Sequence, residues 1–421
     1  MDKEQTRHTN GIKSIFRSLQ YRNYRLFFCG QSISLIGTWI QRLAMPWLVY
    51  DLTHSVILLG IVGFAGQIPT FLLASFAGVL TDRWNRYHIL IATQILSMVQ
   101  AIALALLCYS GAIEVWEILV LSVFLGCINA FDTPARQSFV VEMVEKKEDL
   151  GNAIALNSSM VNGARLLGPS IAGVLIATTG EATCFLINGL SYLVVITSLL
   201  SMRLVKRKIE VREKHVFKEM KEGFAYTFGF LPIKSVILLL ALVSLMGMPY
   251  TVLMPVFAKE IFHGGPHTFG FLMGATGLGA LTGAFYLASR RSAMGLERLI
   301  PISATVFGLA LIAFAFSKIF FLSLGILIVV GLGMMMQMAS SNTLLQTVVE
   351  DDKRGRVMSF YTMAFMGMTP FGSLLSGFLA KQLGAPVTVA IGGICCITGA
   401  LIFFRKLPEI HKLVHAHLRT Q

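Results

Sequence analysis

The sequence predicts an all-α polytopic membrane protein in which twelve transmembrane helices form two pseudo-symmetric six-helix bundles around a central cavity. Hydrophobic residues make up 55% of the 421 residues and charged residues only 14%, whereas a soluble domain carries about 25% charged residues. The charges fall in short islands between apolar runs, and these runs are long enough to cross a bilayer as helices. The two halves of the chain also resemble each other.

The twelve predicted spans follow one another with polar segments between them. Their approximate positions are 24–50, 55–81, 88–110, 115–138, 151–178, 182–203, 233–260, 267–290, 297–316, 319–346, 355–381 and 384–405. The predicted domains are a cytoplasmic amphipathic N-terminal segment (1–23), the N-terminal six-helix bundle (24–203), a cytoplasmic linker with an interfacial helix (204–232), the C-terminal six-helix bundle (233–405) and a cytoplasmic tail (406–421).

Two amphipathic helices are predicted outside the spans. In the N-terminal segment, apolar residues at helical spacing suit a helix lying on an anionic membrane surface, although a frayed tail accounts for them equally well. These residues are Ile12, Ile15, Phe16 and Leu19. In the linker, one helical face is apolar, which indicates an interfacial helix rather than a further span. Its residues are Phe217, Met220, Phe224, Phe228 and Leu231.

The basic residues predict the orientation of the chain. If the N-terminus is cytoplasmic, 30 of the 35 lysines and arginines lie in cytoplasmic segments, and the opposite turns hold only Lys259, Lys318 and Lys381. Positive charge is retained on the cytoplasmic side of membrane proteins, so both termini are predicted to be cytoplasmic. The net charge of +13 is explained in the same way and does not indicate nucleic-acid binding.

The two halves share short sequence patterns at corresponding positions. Gln137–Glu142 resembles Gln346–Glu350, and Gly168–Gly173 resembles Gly372–Gly377. Parallel repeats of six spans, with a binding site near the bilayer midplane between them, are the architecture of a large group of secondary transporters.

The island between the second and third spans carries a resemblance to a known family. Its pattern, Gly78-x-Leu80-x-Asp82-Arg83-x-x-Arg86, resembles the signature loop of the major facilitator superfamily, with Asn85 where that loop usually has glycine and Tyr87 where it usually has a second basic residue. The segments 129–137, 152–157 and 165–169 resemble the branch that includes bacterial enterobactin exporters, macrolide efflux pumps and lysophospholipid transporters. The resemblance implies a bacterial inner-membrane transporter that works by alternating access.

The resemblance also implies a gating role for this island. Asp82, with Arg83 and Arg86 beside it, is expected to face the start of the eleventh span, either its positive helix N-terminus or the side chains of Arg354 and Arg356. Such a contact would hold the cytoplasmic side shut. The alternative is an ordinary solvated turn whose charges only set the topology.

Polar stripes on the first, fourth and fifth spans are predicted to line the cavity. Their candidate residues are Gln31, Thr38, Arg42, Asn129, Asn162 and Arg165. Charged residues inside spans are functional candidates by default, and an arginine offers a fork of donors that suits a carboxylate or phosphate. Arg42 and Arg165 are therefore assigned to an anionic group on the substrate; the alternative is that each satisfies neighbouring carbonyl groups.

Asp132 is the only acidic residue that lies well inside a predicted span. A desolvated carboxylate close to Arg136, and possibly to Arg165, could load and release a proton as the cavity changes access. The alternative is a gating or structural ion pair with Arg136.

The remaining candidate residues are helix-packing residues of the fifth span and cavity-lining residues of the C-terminal bundle. Gly168, Pro169 and Gly173 resemble part of the antiporter motif of drug–proton exchangers, although a packing kink explains them too. The second half holds 13 of the 20 methionines, which suits a soft apolar wall. Gln337, Met338 and Tyr361 are assigned to this wall; methionine as lipid-facing filler is the alternative.

Together these features predict an exporter of a small amphipathic molecule, such as a siderophore, drug or metabolite, coupled to H⁺. The alternative is a lysophospholipid transporter without proton coupling. We find no nucleophile–base pair and no metal-ligand spacing among the six cysteines, so no enzyme, cofactor or metal site is expected. The predicted partners are the small-molecule substrate, H⁺ and the lipid bilayer, and the chain is expected to be a monomer.

Overall fold

A computed structural model of the protein describes residues 16–203, 216–290 and 294–420, and within these ranges it is helical with no strand. We number the membrane helices α1 to α12 and call the helix between the two halves the linker helix. The first half contains α1 (Arg22–Thr53), α2 (Val56–Arg83), α3 (Arg86–Tyr109), α4 (Val115–Met143), α5 (Lys147–Thr179) and α6 (Glu181–Leu200), followed by the linker helix (Val216–Gly229). The second half contains α7 (Leu231–Ile261), α8 (Pro266–Ser289), α9 (Leu296–Phe316), α10 (Phe320–Val348), α11 (Asp351–Leu383) and α12 (Ala385–Thr420).

Each predicted span coincides with one of these helices, so the predicted fold class is confirmed. Among the described residues, eleven of the helices are apolar enough to cross a membrane. Helix α1 completes the set of twelve: it is 32 residues long, and its polar stripe makes it less apolar than the others. Helices α7 and α11 each contain π-helical turns, such as Val243–Gly247 and Met363–Gly367. Such turns interrupt regular helices and are frequent at functional sites.

The two halves repeat the same packing plan. In the first half α2 packs on α4 and α3 on α6, and in the second half α8 packs on α10 and α9 on α12. Between the halves, α5 packs on α8 and α2 packs on α11. These two contacts are equivalent under the internal repeat.

Glycines allow these two cross-half contacts to be close. A Cβ atom added to Gly173 would lie 2.9 Å from the Cα atom of Gly270, and one added to Gly60 would lie 2.6 Å from the carbonyl oxygen of Ser373. Neither position can accept a larger side chain unless a backbone moves. The helices of the two halves therefore meet directly through their main chains.

We call the end of the bundle that holds the linker helix the linker end, and the opposite end the far end. At the far end the Lys259 ammonium donates to Asp51 Oδ1 at 2.6 Å, and the Tyr50 hydroxyl donates to Glu260 Oε1. The rings of Trp47 and Phe269 stack with their centroids 6.0 Å apart. These contacts join α1 to α7 and α8, so the two halves are closed against each other at the far end.

The N-terminal segment is held on α5. Residues Ile12 and Ile15 of the predicted amphipathic helix lie outside the described residues, and Arg17–Gln20 form a short 3-10 helix. The Arg17 guanidinium pairs with Asp149, and the Tyr21 hydroxyl donates to Asp149 Oδ2 at 2.6 Å. Because the buried carboxylate of Asp149 binds both side chains, the residues Arg17–Tyr21 are fixed to α5.

The segment after residue 405, which the sequence analysis assigns to a cytoplasmic tail, is helical in the structure. Helix α12 continues without a break to Thr420, because Ile410 and Val414 are fully buried on its inner face. The linker helix lies within the predicted linker, and its Gly223 contacts the side chain of Arg356 on α11.

Candidate substrate site between the two halves

The candidate site is centred on the indole ring of Trp39 on α1. The guanidinium carbon of Arg42 lies 5.0 Å from the ring centroid, and that of Arg165 on α5 lies 5.8 Å from it. Both distances are within the range of cation–π attraction. The ring therefore holds two arginines of different helices next to each other.

Gly168 explains why Arg165 lies beside Trp39. A Cβ atom added to Gly168 would lie 2.4 Å from the Cβ atom of Trp39, so α1 and α5 approach each other closely only because this residue is glycine. Arg165 lies three residues earlier in α5, on the same helix face. The predicted packing residue and the predicted cavity residue thus belong to one arrangement.

Arg165 also reaches the second half. Its Nη2 atom lies 3.6 Å from the Sδ atom of Met334 on α10. Methionine sulfur is a weak acceptor, so this contact leaves most of the hydrogen-bonding capacity of the guanidinium unused. Arg165 is therefore positioned where the two halves meet.

Neither of these arginines is neutralised by an acidic side chain among the described residues. Arg42 is exposed although it lies within a span. Cations inside a membrane protein are costly unless they are paired or face a polar cavity. The Trp39 site therefore carries uncompensated positive charge.

Asp132 lies in a separate cluster between α3 and α4, in which both of its own oxygens have partners. Its Oδ1 atom accepts from the Thr93 hydroxyl at 2.9 Å and from the Gln94 amide at 2.7 Å. Its Oδ2 atom lies 3.5 Å from Arg136 Nε. The predicted pairing with Arg136 is present, whereas Arg165, the other predicted partner, instead lies at Trp39 and Met334.

A buried amide network next to Arg42 is absent from the sequence predictions. Asn188 donates to Gln41 Oε1 at 2.7 Å, and Gln41 donates to Gln100 Oε1 at 3.0 Å. Gln100 then donates to the carbonyl oxygen of Leu121 at 3.3 Å. The network joins α1, α3, α4 and α6, and its sequence signal is one polar amide in an otherwise apolar stretch of each of three spans.

The other candidates of the first half are engaged locally. The Thr38 hydroxyl donates to the Ser34 carbonyl, and the Asn162 amide donates to the Ser158 carbonyl, each at 2.9 Å. Gln31 is buried and Asn129 is half-buried. These residues lie on the three predicted helices, but none of their described hydrogen bonds reaches the Trp39 site.

The candidates of the second half form one cluster between α10 and α11. The Tyr361 hydroxyl donates to the carbonyl oxygen of Met338 at 3.2 Å. Gln337 is fully buried, and its amide nitrogen has no partner among the described residues. Met334, which contacts Arg165, lies one turn before Met338.

The predicted gate is only partly described. The side chains of Asp82 and Arg83 lie outside the described residues, so their contact with α11 stays a prediction. Arg86 Nη1 pairs with Glu142 Oε1 at 2.8 Å, within the first half. Arg354 and Arg356 are half-buried at the start of α11.

Comparison with known proteins places these features in a family. A sequence model of the family described as transmembrane secretion effector matches residues 13–419. The chain is 28% identical over 387 residues to the staphyloferrin A transporter of Staphylococcus aureus (91% of this chain, 96% of that protein) and 22% identical over 405 residues to macrolide efflux protein A of Streptococcus pyogenes (94% and 99%).

The fold also matches a solved transporter. The crystal structure of a bacterial homolog of the human lysosomal transporter Spinster, inward-facing and unoccupied, superposes with a TM-score of 0.69 at 15% identity, covering 95% of this chain and 98% of that one. With the match over residues 13–419 and the twelve-helix fold, this chain belongs to the transmembrane secretion effector family of the major facilitator superfamily and is a multi-pass membrane transporter of small molecules rather than an enzyme.

Proposed function

We propose that this protein exports a small amphipathic molecule with an anionic group, of the siderophore class, across the bacterial inner membrane by alternating access in exchange for H⁺. The observation that carries the proposal is the pair of arginines, Arg42 and Arg165, that both contact the Trp39 ring and have no acidic partner among the described residues. A carboxylate-bearing substrate supplies the missing negative charge.

The surroundings of the site suit the remaining part of such a molecule. A guanidinium binds a carboxylate through two parallel hydrogen bonds, and the Trp39 ring offers an apolar face. Across the interface, Met334 and Met338, one turn apart on α10, provide soft side chains that repack around irregular ligands. A polar head is bound by the first half, and an apolar body is bound by the second.

The position of Arg165 supports alternating access. It contacts Met334 of the opposite half, so an anion bound there touches residues of both bundles. The far end is closed by the Asp51–Lys259 and Tyr50–Glu260 contacts. Export then requires these contacts to separate while the linker end closes around Asp82.

The distribution of lysine and arginine supports the orientation. Because 30 of the 35 basic residues fall in the segments predicted to be cytoplasmic, we assign the linker end and both termini to the cytoplasm. The far end then faces the outside, where the substrate is released. The functional unit is proposed to be a monomer, since each chain contains both halves.

The relatives favour export over the lysophospholipid alternative. One related protein is a staphyloferrin A transporter and another is a macrolide efflux protein. The Trp39 site favours a siderophore over a macrolide, because an anionic substrate is needed to neutralise the two arginines of the site.

Proton coupling is assigned to Asp132. Its carboxylate is buried, and its Oδ2 atom lies 3.5 Å from Arg136 Nε. Protonation of Asp132 would release Arg136 from this pair and add its charge to the substrate site. Substrate loading and proton release are thereby linked through one arginine.

The substrate assignment is tested in proteoliposomes with two probes, staphyloferrin A and a macrolide. We expect the wild type to transport the anionic probe preferentially, and Arg165→Gln and Arg42→Gln to lower its transport at least tenfold. Arg25→Gln is the matched control, because Arg25 is an exposed arginine at the linker end of the same helix α1. Preferential macrolide transport, or unchanged transport of the anionic probe by Arg165→Gln, would refute the anionic-substrate proposal.

Coupling is tested separately with Asp132→Asn. A coupling role predicts that this variant loses the response to a pH gradient but keeps exchange of substrate without a gradient. A gating role predicts slower exchange in both conditions, and this result would contradict coupling through Asp132.

A further inference from the structure

The start of α9 and the end of α12 bring together three possible metal ligands. Glu297 is the second residue of α9, and His411 and His415 lie one turn apart on the part of α12 beyond the predicted span. His411 Nδ1 lies 2.8 Å and His415 Nε2 lies 3.7 Å from the same oxygen atom, Glu297 Oε1. All three ligand atoms are within 4.8 Å of one another.

The cluster is incompletely satisfied. Glu297 is fully buried, and its second oxygen, Oε2, has no hydrogen-bond partner among the described residues. A buried carboxylate oxygen without a partner is costly. At 3.7 Å, His415 is too far away for a hydrogen bond. The two imidazole rings are nevertheless close, with their centroids 4.1 Å apart and their planes tilted by 51°.

A cation bound between these groups would compensate the buried carboxylate of Glu297. We propose that Glu297, His411 and His415 bind one divalent transition-metal ion, with zinc(II) the best match, and that this ion fastens the end of α12 to the start of α9. This proposal departs from the sequence expectation of no metal site, and it is independent of the proposed substrate.

The donor set selects the class of metal. Two imidazoles and one carboxylate suit zinc and its first-row neighbours, whereas calcium and magnesium prefer sites built from oxygen alone. Zinc bonds of 2.0–2.2 Å to such ligands place neighbouring donor atoms roughly 3.3 Å apart. The present separations of 2.8 and 3.7 Å lie on either side of that value, so small rotations of the side chains complete the site.

The exposure of the histidines allows an ion to enter and leave. Their side chains are 36% and 31% exposed, so water can reach the site and occupy a fourth position. Ile410 and Val414, both fully buried, already hold this part of α12 against the bundle. Binding therefore needs little ordering of the chain.

The test uses the full-length protein purified in detergent without an added histidine tag. After EDTA treatment, titration with ZnCl₂ is followed by calorimetry, and CoCl₂ is added to a second sample. We expect the wild type and the control His88→Ala, which removes an exposed histidine in the other half, to bind one high-affinity zinc ion per chain. Cobalt should give visible absorption bands typical of nitrogen and oxygen ligands.

The variants His411→Ala/His415→Ala and Glu297→Gln should weaken zinc binding at least tenfold and remove the cobalt bands. All variants keep the six cysteines, so zinc binding by thiols cannot produce this difference. Equal affinity in the wild type and both variants would overturn the proposal. So would a wild type whose melting temperature does not change when zinc is added, because a bound ion that fastens α12 to α9 must stabilise the folded protein.

Discussion

The two ends of the helix bundle differ in what their polar contacts join. At the far end, Asp51–Lys259 and Tyr50–Glu260 connect α1 of the first half to α7 of the second. At the linker end, the ion pairs between described side chains each stay within one half. Arg86–Glu142 joins α3 to α4, and His411–Glu297 joins α12 to α9.

This difference indicates which parts move together. Contacts within one half persist when the two halves rotate against each other, whereas contacts between halves must break. In transporters built from such repeats, alternating access is largely a rigid-body motion of one bundle against the other. If the halves rotate in this way, the far-end contacts between them must separate, whereas the described ion pairs of the linker end persist within each half.

The most direct way to break this comparison is to prevent closure at the far end with Gly173→Ala. The added Cβ atom would lie 2.9 Å from Gly270 Cα, so α5 and α8 must separate. We expect transport to fall at least tenfold and hydrogen exchange to increase at residues 169–179 and 266–274. The matched control is Gly163→Ala on the same helix, where an added Cβ atom has no neighbour within 4 Å.

Because alanine favours a helix over glycine by about 1 kcal/mol, the Gly163 control should be at least as stable as the wild type. If Gly173→Ala transported at the wild-type rate, closure at the far end would not depend on this backbone contact.

The second prediction concerns rigidity at the linker end. Asp149→Ala removes the acceptor for Arg17, Gln20 and Tyr21 and should lower the free energy of unfolding by roughly 1–3 kcal/mol, the cost of leaving a buried partner unsatisfied. Thermal unfolding in detergent measures this effect. Glu148→Gln is the control, since the side chain of Glu148 is exposed and only its carbonyl oxygen accepts from Arg17.

This contribution depends on pH. The hydrogen bond to Asp149, followed by burial, raises the pKa of Tyr21. The stabilisation is therefore present below the ordinary tyrosine pKa of about 10 and is lost as the pH rises through the raised pKa of Tyr21. If Glu148→Gln and Asp149→Ala lowered the free energy of unfolding equally, the contacts of Asp149 with the N-terminal segment would make no specific contribution to stability.

The sequence predicted the helices well because membrane length and charge position leave few alternatives. The spans, the two halves and the pairing of Asp132 with Arg136 all follow from periodicity or from spacing within one helix. Contacts between distant helices do not follow from such patterns. Arg165 lies beside Trp39 because Gly168 lets α1 and α5 approach closely, and no pattern along one helix reveals this.

The length of α12 shows a second limit. The charged residues Arg405 and Lys406 mark the end of an apolar run, so the sequence indicated a tail there. The helix continues because Ile410 and Val414 find a buried surface on the bundle, and this tertiary contact also brings His411 and His415 to Glu297. Partners that come from distant parts of the chain cannot be deduced from one sequence.

The smallest expected effect concerns the far-end ion pair of Asp51 and Lys259. Their side chains are 52% and 31% exposed, and exposed pairs contribute about 0.2–1 kcal/mol. A double-mutant cycle with Asp51→Asn and Lys259→Gln should therefore give a coupling energy of at most about 1 kcal/mol in far-end hydrogen exchange, and salt should reduce it. Lys381→Gln, which removes an exposed charge of α11 at the same end, should leave that exchange unchanged. A coupling of several kcal/mol would mean that the ion pair, rather than the glycine contacts of α5 and α2, determines when the far end opens.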